Sequence, residues 1–258
     1  KEFSFTSHIQ LYENCPLQYK FFKELEFAGV RTGAFLGGSL LHQTIEDIHK
    51  AVLRGEEKTL SNDNIKSWFN QNYYFLSKSQ STYLHEAQLK SLLNQVLRYR
   101  DKNQDHWDRI KEAEVDVSLV KDSYILKGTI DLIKGEGDTV ELIDFKSGDK
   151  PDVNSGDEKT IQTLASYRKQ LEIYAHLVEE RTGHHVSKMH LYYTKEESGS
   201  PYITFSSNKD NIDQTISLFD KIVDKIEHKN YDMKNITKSP RQCADCDMRY
   251  HCNPKQYN

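Results

Sequence analysis

The strongest constraint on this chain is a change of hydrophobic period near Glu112. Before it, apolar residues recur at helical spacing: Leu41, Ile45, Ile48 and Val52 fall at i, i+4, i+7 and i+11. Ile65, Trp68, Phe69, Asn72 and Leu76 predict a second helix, and Leu89, Leu92, Leu93, Val96 and Leu97 a third. After it, Glu114-Val-Asp-Val-Ser-Leu-Val120 alternates strictly, as a half-buried strand does. Tyr124 to Ile133 and Thr139 to Phe145 predict two more strands, joined by a hairpin turn at Gly135-Glu-Gly-Asp138. A polar loop over 147–160 leads to a long helix carrying Leu164, Tyr167, Leu171, Tyr174 and Val178. Strands at Lys188–Thr194 and Tyr202–Phe205 follow, then a helix with Ile212, Ile216, Phe219, Val223 and Ile226 on one stripe. At the other end, Ser7 is a plausible N-cap, Pro16 opens a second short helix, and Gly37 and Gly38 break the chain before the first long one. Helices, a β-meander, then helix, strand, strand, helix predict an α/β layer architecture in one domain.

Charge and cysteine usage narrow the class. The 258 residues carry a net charge of −4, which argues against a uniformly basic nucleic-acid binder. The distribution is uneven: 12 Lys/Arg against 10 acids over 1–100, 8 against 16 over 101–158, and 15 against 13 over 159–258. An acidic centre between mildly basic flanks suits a cation site facing a polyanion, and equally a solvated charged surface. No apolar run approaches the ~18 residues of a membrane span, and 1–30 lacks an apolar signal core, so a soluble, cytoplasmic protein is expected. The chain begins at Lys1, which fits a fragment of something longer. Three of the four cysteines crowd together as Cys243-x2-Cys246-x5-Cys252, with Cys15 near the other end. That layout fits a metal or cluster site in a reducing compartment better than two disulfides. Four thiolates can hold zinc or an iron–sulfur cluster. There is no Walker-type phosphate loop, so no motif supports ATP hydrolysis.

Several residues carry chemistry in this pattern. Asp131 ends Gly128-Thr-Ile-Asp131, and Asp144-Phe-Lys146 lies on the next strand, where alternation puts Asp144 and Lys146 on one face. Two carboxylates and a lysine on adjacent strands could hold a hard divalent cation and orient a water for attack on phosphorus. A surface Asp–Lys pair is the plain alternative, but Leu142-Ile-Asp144-Phe sets a charge inside an apolar strand, and a buried carboxylate must be paired or metal-bound. His42 and Glu46 are i, i+4 neighbours, with His49 continuing the stripe; His42 is a structural histidine or a ligand for a Mn²⁺-like cation. Gln170 and Tyr174 are also i, i+4 neighbours; core packing explains Tyr174, while Gln170 lies outside the apolar stripe.

Taken in order, these segments resemble the PD-(D/E)XK nuclease superfamily, in particular its RecB-like branch with an iron–sulfur cluster. That branch includes the AddB nuclease domain and CRISPR-associated exonucleases. Gly38-Ser-Leu-Leu-His42-Gln-Thr-Ile-Glu46 is similar to the family's first motif, Gly128-Thr-Ile-Asp131 to the second, and Asp144-Phe-Lys146 to the D/E-x-K motif. Gln170-Leu-Glu-Ile-Tyr174 resembles the QxxxY motif, and Cys15, Cys243, Cys246 and Cys252 the split cluster ligands. The resemblance implies a restriction-endonuclease-like α/β core, a central mixed sheet flanked by helices, with a helical insertion and a cysteine-bound cluster joining the two terminal segments. It divides 1–258 into a cluster-ligand segment (1–36), a motif helix (37–54), the insertion (55–111), the catalytic core (112–230) and a second cluster-ligand segment (231–258).

The resemblance further implies that His42, Asp131, Asp144 and the carbonyl of Phe145 bind Mg²⁺ or Mn²⁺. Lys146 would activate the attacking water, Gln170 and Tyr174 would position the motif and the strand, and Glu46 would support the ligands. The cofactors expected are Mg²⁺ or Mn²⁺ and a [4Fe–4S] cluster, with zinc the alternative. The expected partners are DNA, as single strands or duplex ends, and a helicase domain or subunit, with no membrane. Lys20, Lys23, Arg168, Lys169 and Arg249 are candidates for phosphate contacts. The expected activity is a metal-dependent DNA exonuclease or end-processing nuclease of recombination, repair or foreign-DNA processing. The rivals are a catalytically idle DNA- or protein-binding module of the same fold and a zinc-stapled interaction domain.

Overall fold

The structure, a computed structural model, describes residues 1–29, 32–233, 243–244 and 246–252. The chain divides into two compact units: Arg31–Leu119 with Gly128–Ile212, and Lys1–Val30 with Val120–Lys127 and Asp213–Asn258.

The larger unit is built on three helices, α1 (Gly33–Leu53), α2 (Asn62–Gln80) and α3 (Glu86–Asn103). Each is capped by the residue before it: Thr32 accepts from the Phe35 N–H, Ser61 from the Asn64 N–H, and His85 forms a reciprocal capping pair with Gln88. Gly37 and Gly38 do not break the chain as the sequence predicts; both lie inside α1. A side chain at Gly37 would press on Leu92 of α3 at 3.3 Å, so the glycine lets the two helices approach, and packing overrides its low helix propensity. Leu36, Leu40, Leu41, Ile45 and Ile48 of α1 close a core with Ile65, Phe69, Val96 and Tyr99.

The sheet strands are β2 (Ile110–Val120), β3 (Ile125–Glu136), β4 (Thr139–Lys146), β5 (His185–Tyr193) and β6 (Tyr202–Ser206). The sheet is mixed: β3 pairs antiparallel with β4, β4 parallel with β5, and β5 antiparallel with β6, while β2 pairs with β3. The β3–β4 hairpin runs from Leu132 opposite Ile143 to Glu136 opposite Thr139, so its turn is Gly137-Asp138, two residues tighter than predicted. Leu132, Ile143, Phe145 and Tyr192 join the core of α1–α3. Alternation therefore turns Asp144 and Lys146 to the opposite face, where α4 (Glu158–Thr182) supplies the contacts described below. Asp157 caps α4 by accepting from the Thr160 N–H at 2.8 Å, which shortens the predicted loop at its far end.

In the smaller unit, β1 (Glu2–Ser4) pairs parallel with Ile125–Lys127, a strand too short to show alternation in the sequence. Short helical segments follow at Phe5–Gln10, Leu11–Asn14, Pro16–Tyr19 and Lys20–Glu24. Ser4, not Ser7, precedes the first; Ser7 lies inside it. From Asp213 onward, α5 (Lys209–Glu227) belongs to this unit and buries Ile216, Phe219, Val223 and Ile226. Phe219 stacks on Tyr124, with centroids 5.7 Å apart. Among the described residues no helix is long and apolar enough to cross a membrane.

His49 is fully buried on α1, its Nε2 2.7 Å from the Tyr99 hydroxyl. Burial, reinforced by Lys134, drives its pKa from 6.5 down to about 3. The unfolded chain therefore takes up this proton first as pH falls, and stability declines between about 6.5 and about 3, by at most ~1.4 kcal/mol per pH unit. His8, held down at about 4, adds to the decline. Melting temperatures from pH 7 to 5 should fall, and His49→Gln should flatten part of that slope. An unchanged slope would show that His49 is not the buried base responsible.

Candidate active site

His42 projects from the middle of α1 toward β3, its Nδ1 3.3 Å from Asp131 Oδ1. The other Asp131 oxygen accepts the Phe145 N–H at 2.7 Å, so the backbone of β4 orients this carboxylate. Burial opposes the charge on both groups, but each holds the other ionised. Asp131, Asp144 and Glu114 together raise His42 to about 9, and His42 keeps Asp131 below its ordinary range.

Asp144, on the adjacent strand, is 6% exposed. Its Oδ1 accepts from Gln170 Nε2 at 3.1 Å, and its Oδ2 pairs with Lys146 Nζ at 2.6 Å. Gln170 also donates to the Tyr174 hydroxyl at 2.9 Å. The two helical residues thus act as one bracket, Tyr174 bracing the amide that holds Asp144. Gly128 makes room for it: a Cβ there would lie 2.7 Å from the Tyr174 ring. Burial pushes Asp144 upward despite Lys146, and Asp131 adds to the push.

Sequence reasoning missed Glu114. Its carboxylate, with His42 and Asp131, forms a set whose donor atoms all lie within 4.8 Å of one another. Asp144 is not part of that set. Strict alternation reads Glu114 with Asp116 and Ser118 as solvent-facing, and those two are exposed, but Glu114 adopts φ 47° inside β2 and is half-buried. Such a backbone costs about 1–3 kcal/mol for a residue with a Cβ. Burial, then the charges of Asp131 and Glu46, raise Glu114 to about 7. The available signal was a glutamate opening the strand beside Gly128-Thr-Ile-Asp131.

One imidazole and two carboxylates at this spacing could hold a divalent cation of the Mg²⁺ or Mn²⁺ type. Glu46 pairs with Lys50 one turn along α1 and faces this set through its charge. His49 turns instead into the core. Arg168 is taken up by Glu172, its Nε 2.9 Å from the carboxylate, and Lys169 lies half-exposed on α4. Lys20, Lys23 and Arg249 belong to the smaller unit, as do all four cysteines. The cysteines are not disulfide-bonded. Cys15 Sγ caps the Pro16 helix, accepting from the Gln18 N–H at 3.4 Å. Burial, together with Cys15, Asp247 and Cys243 nearby, raises the Cys246 thiol.

Both the sequence and the fold have known relatives. A sequence model of the PD-(D/E)XK nuclease superfamily matches residues 3–253. The chain is 37% identical over 73 residues to an ATP-dependent helicase/nuclease subunit of Syntrophomonas wolfei. That stretch is 28% of this chain and only 6% of the relative's length. In fold, the chain is similar to the crystal structure of a protein from Eubacterium rectale named as a candidate exonuclease. The TM-score is 0.58 at 12% identity, covering 96% of this chain and 86% of the other. With the family's sequence pattern spanning nearly the whole length and the fold agreeing, this chain belongs to the PD-(D/E)XK nuclease superfamily.

Proposed function

We propose that the chain is a divalent-metal-dependent deoxyribonuclease that hydrolyses phosphodiester bonds at single strands or duplex ends. The observation that carries this reading is the His42–Glu114–Asp131 donor set beside the Asp144–Lys146 ion pair on neighbouring strands. His42, Asp131 and Glu114 would hold the cation, with Asp144 and the Phe145 carbonyl completing its surroundings. A cation held there would supply Lewis-acid polarisation of the phosphate and a water of lowered pKa. Lys146 aims its ammonium donors at that water and at the charge growing on the phosphate oxygens. Asp144 keeps Lys146 charged, and Gln170 with Tyr174 fixes the carboxylate so that neither group drifts. These residues act by positioning and electrostatics, which is most of what phosphoryl transfer asks of a protein.

The helicase/nuclease name of the relative supports placing this nuclease beside a helicase domain or subunit. A role in recombination, repair or foreign-DNA processing in the cytoplasm is part of the same proposal. Cys15, Cys243, Cys246 and Cys252 would hold a [4Fe–4S] cluster, or zinc, as a staple. Cys15 and Cys243 both stand near enough to Cys246 to act on its thiol, which supports one shared site drawn from segments more than two hundred residues apart. In a simple entropy model, closing so long a loop contributes several kcal/mol.

End-labelled single- and double-stranded DNA tests the main reading. Lys146→Ala should bind DNA nearly normally and cut it orders of magnitude more slowly, and Asp144→Ala should abolish cleavage with the fold intact. Equal losses of affinity and rate would make Lys146 a phosphate contact only.

Glu114→Gln should raise the Mn²⁺ dissociation constant about tenfold or more in calorimetry, the range seen when a metal site loses a supporting group. At pH 8 without metal it should melt no lower than wild type, because a repelled carboxylate is removed. Unchanged Mn²⁺ affinity would take Glu114 out of the site.

Cys246→Ala should lose the bound metal or cluster, melt lower and open the terminal segment to proteases. The same metal content and melting temperature as wild type would remove the staple.

A further inference from the structure

Lys146 has a second neighbour besides Asp144: its Nζ stands 4.0 Å from the centroid of the Tyr167 ring. Tyr167 is on the first half of α4, one turn before Gln170 and two before Tyr174. It therefore continues the line of residues that brackets Asp144. The apolar stripe of α4 explains Leu171, Tyr174 and Val178, which are buried, but Tyr167 is only half-buried and opens onto solvent. It lines a cleft of about 400 Å³ together with Lys146, Asp149, Thr163 and Tyr193. Tyr193 is the cross-strand partner of Lys146, so the lysine lies between one tyrosine beside it on the sheet and another from the helix.

The two partners of Lys146 hold it in different ways. Asp144 holds the ammonium by charge and occupies an N–H donor. That hold weakens whenever another cation draws on the same carboxylate. An aromatic face attracts the ammonium through its quadrupole, turns at most one N–H toward the ring and competes for no metal. A lysine held only by Asp144 would be loosened at the moment its donors are needed. A lysine resting on Tyr167 stays in place with its remaining N–H donors free, at the mouth of the cleft that would take the nucleotide strand.

We propose that Tyr167 is a positioning residue for Lys146, its ring holding the ammonium in reach of the scissile phosphate by a cation–π contact. The inference rests on the nuclease reading for its effect on rate, but the contact itself is tested without it. Reductive methylation of the whole protein with ¹³C-formaldehyde labels the lysines, and the Lys146 resonance is identified by its loss in Lys146→Arg. In wild type the ring current should shift these methyl signals upfield of the other lysines. Tyr167→Leu should abolish the shift and Tyr167→Phe should keep it, with melting temperatures confirming that both fold.

On end-labelled DNA, Tyr167→Leu should lower kcat about tenfold with KM unchanged, the expected size for a partly desolvated cation–π contact. Tyr167→Phe should return kcat to within about twofold of wild type. A Lys146 signal identical in wild type and Tyr167→Leu overturns the inference whatever the activity. So does a rise in KM at constant kcat, which would make Tyr167 a surface for the substrate and not a support for the lysine. If no substrate is cut by wild type, the nuclease reading fails, while the methyl signal still decides whether the ring holds the lysine.

Discussion

Two carboxylates on neighbouring strands, Asp131 and Asp144, must carry charge where water is largely excluded. That requirement governs the arrangement around them. An unpaired buried charge is among the costliest things a fold can contain, so each neighbouring element delivers a compensating group. α1 brings His42 to Asp131, β4 turns the Phe145 N–H onto it, and α4 brings Gln170 to Asp144 while Lys146 comes from the same strand. Burial first, and neighbouring carboxylates after it, push Asp144 up and Glu114 to about 7, so the partners in the cluster do not fully offset the loss of water. A divalent cation is the natural complement of such a site.

The same demand explains where the backbone departs from routine. Gly128 has no side chain because the Tyr174 ring, which supports Gln170, occupies that space. Glu114 takes a positive φ in a strand, turning a residue that alternation assigns to solvent toward His42 and Asp131. Strain of this kind persists where the surroundings over-determine it, and it gathers at sites with work to do. Away from the site, a positive φ on Ser81 simply ends α2, the usual left-handed close of a helix.

Much of this was legible in the residues. The long helices follow apolar spacing, and β2 follows alternation over Val115–Ser118, because both patterns are local consequences of backbone period. Asp131, Asp144 and Lys146 were conspicuous as charges within apolar strands, and Gln170 as a polar residue beside an apolar stripe. Ser7 and the glycines of α1 misled for one reason. Capping and helix-breaking propensities are small, ~1 kcal/mol, and tertiary packing such as Gly37 against Leu92 outweighs them.

Composition and period by themselves determined the α/β class, the order of the longer elements and the chemistry of the central strands. Only the tertiary structure decided which charges meet. It separated His42, which turns to Asp131, from His49, two turns along the same helix and buried against Tyr99. It recruited Glu114 through one dihedral angle, and it set the Tyr167 ring over Lys146. Along the chain, α2, α3 and β2 all stand between His42 and Asp131, so no local pattern links the two. Period specifies which face a side chain occupies, while a meeting of side chains depends on how two faces from distant segments are packed together.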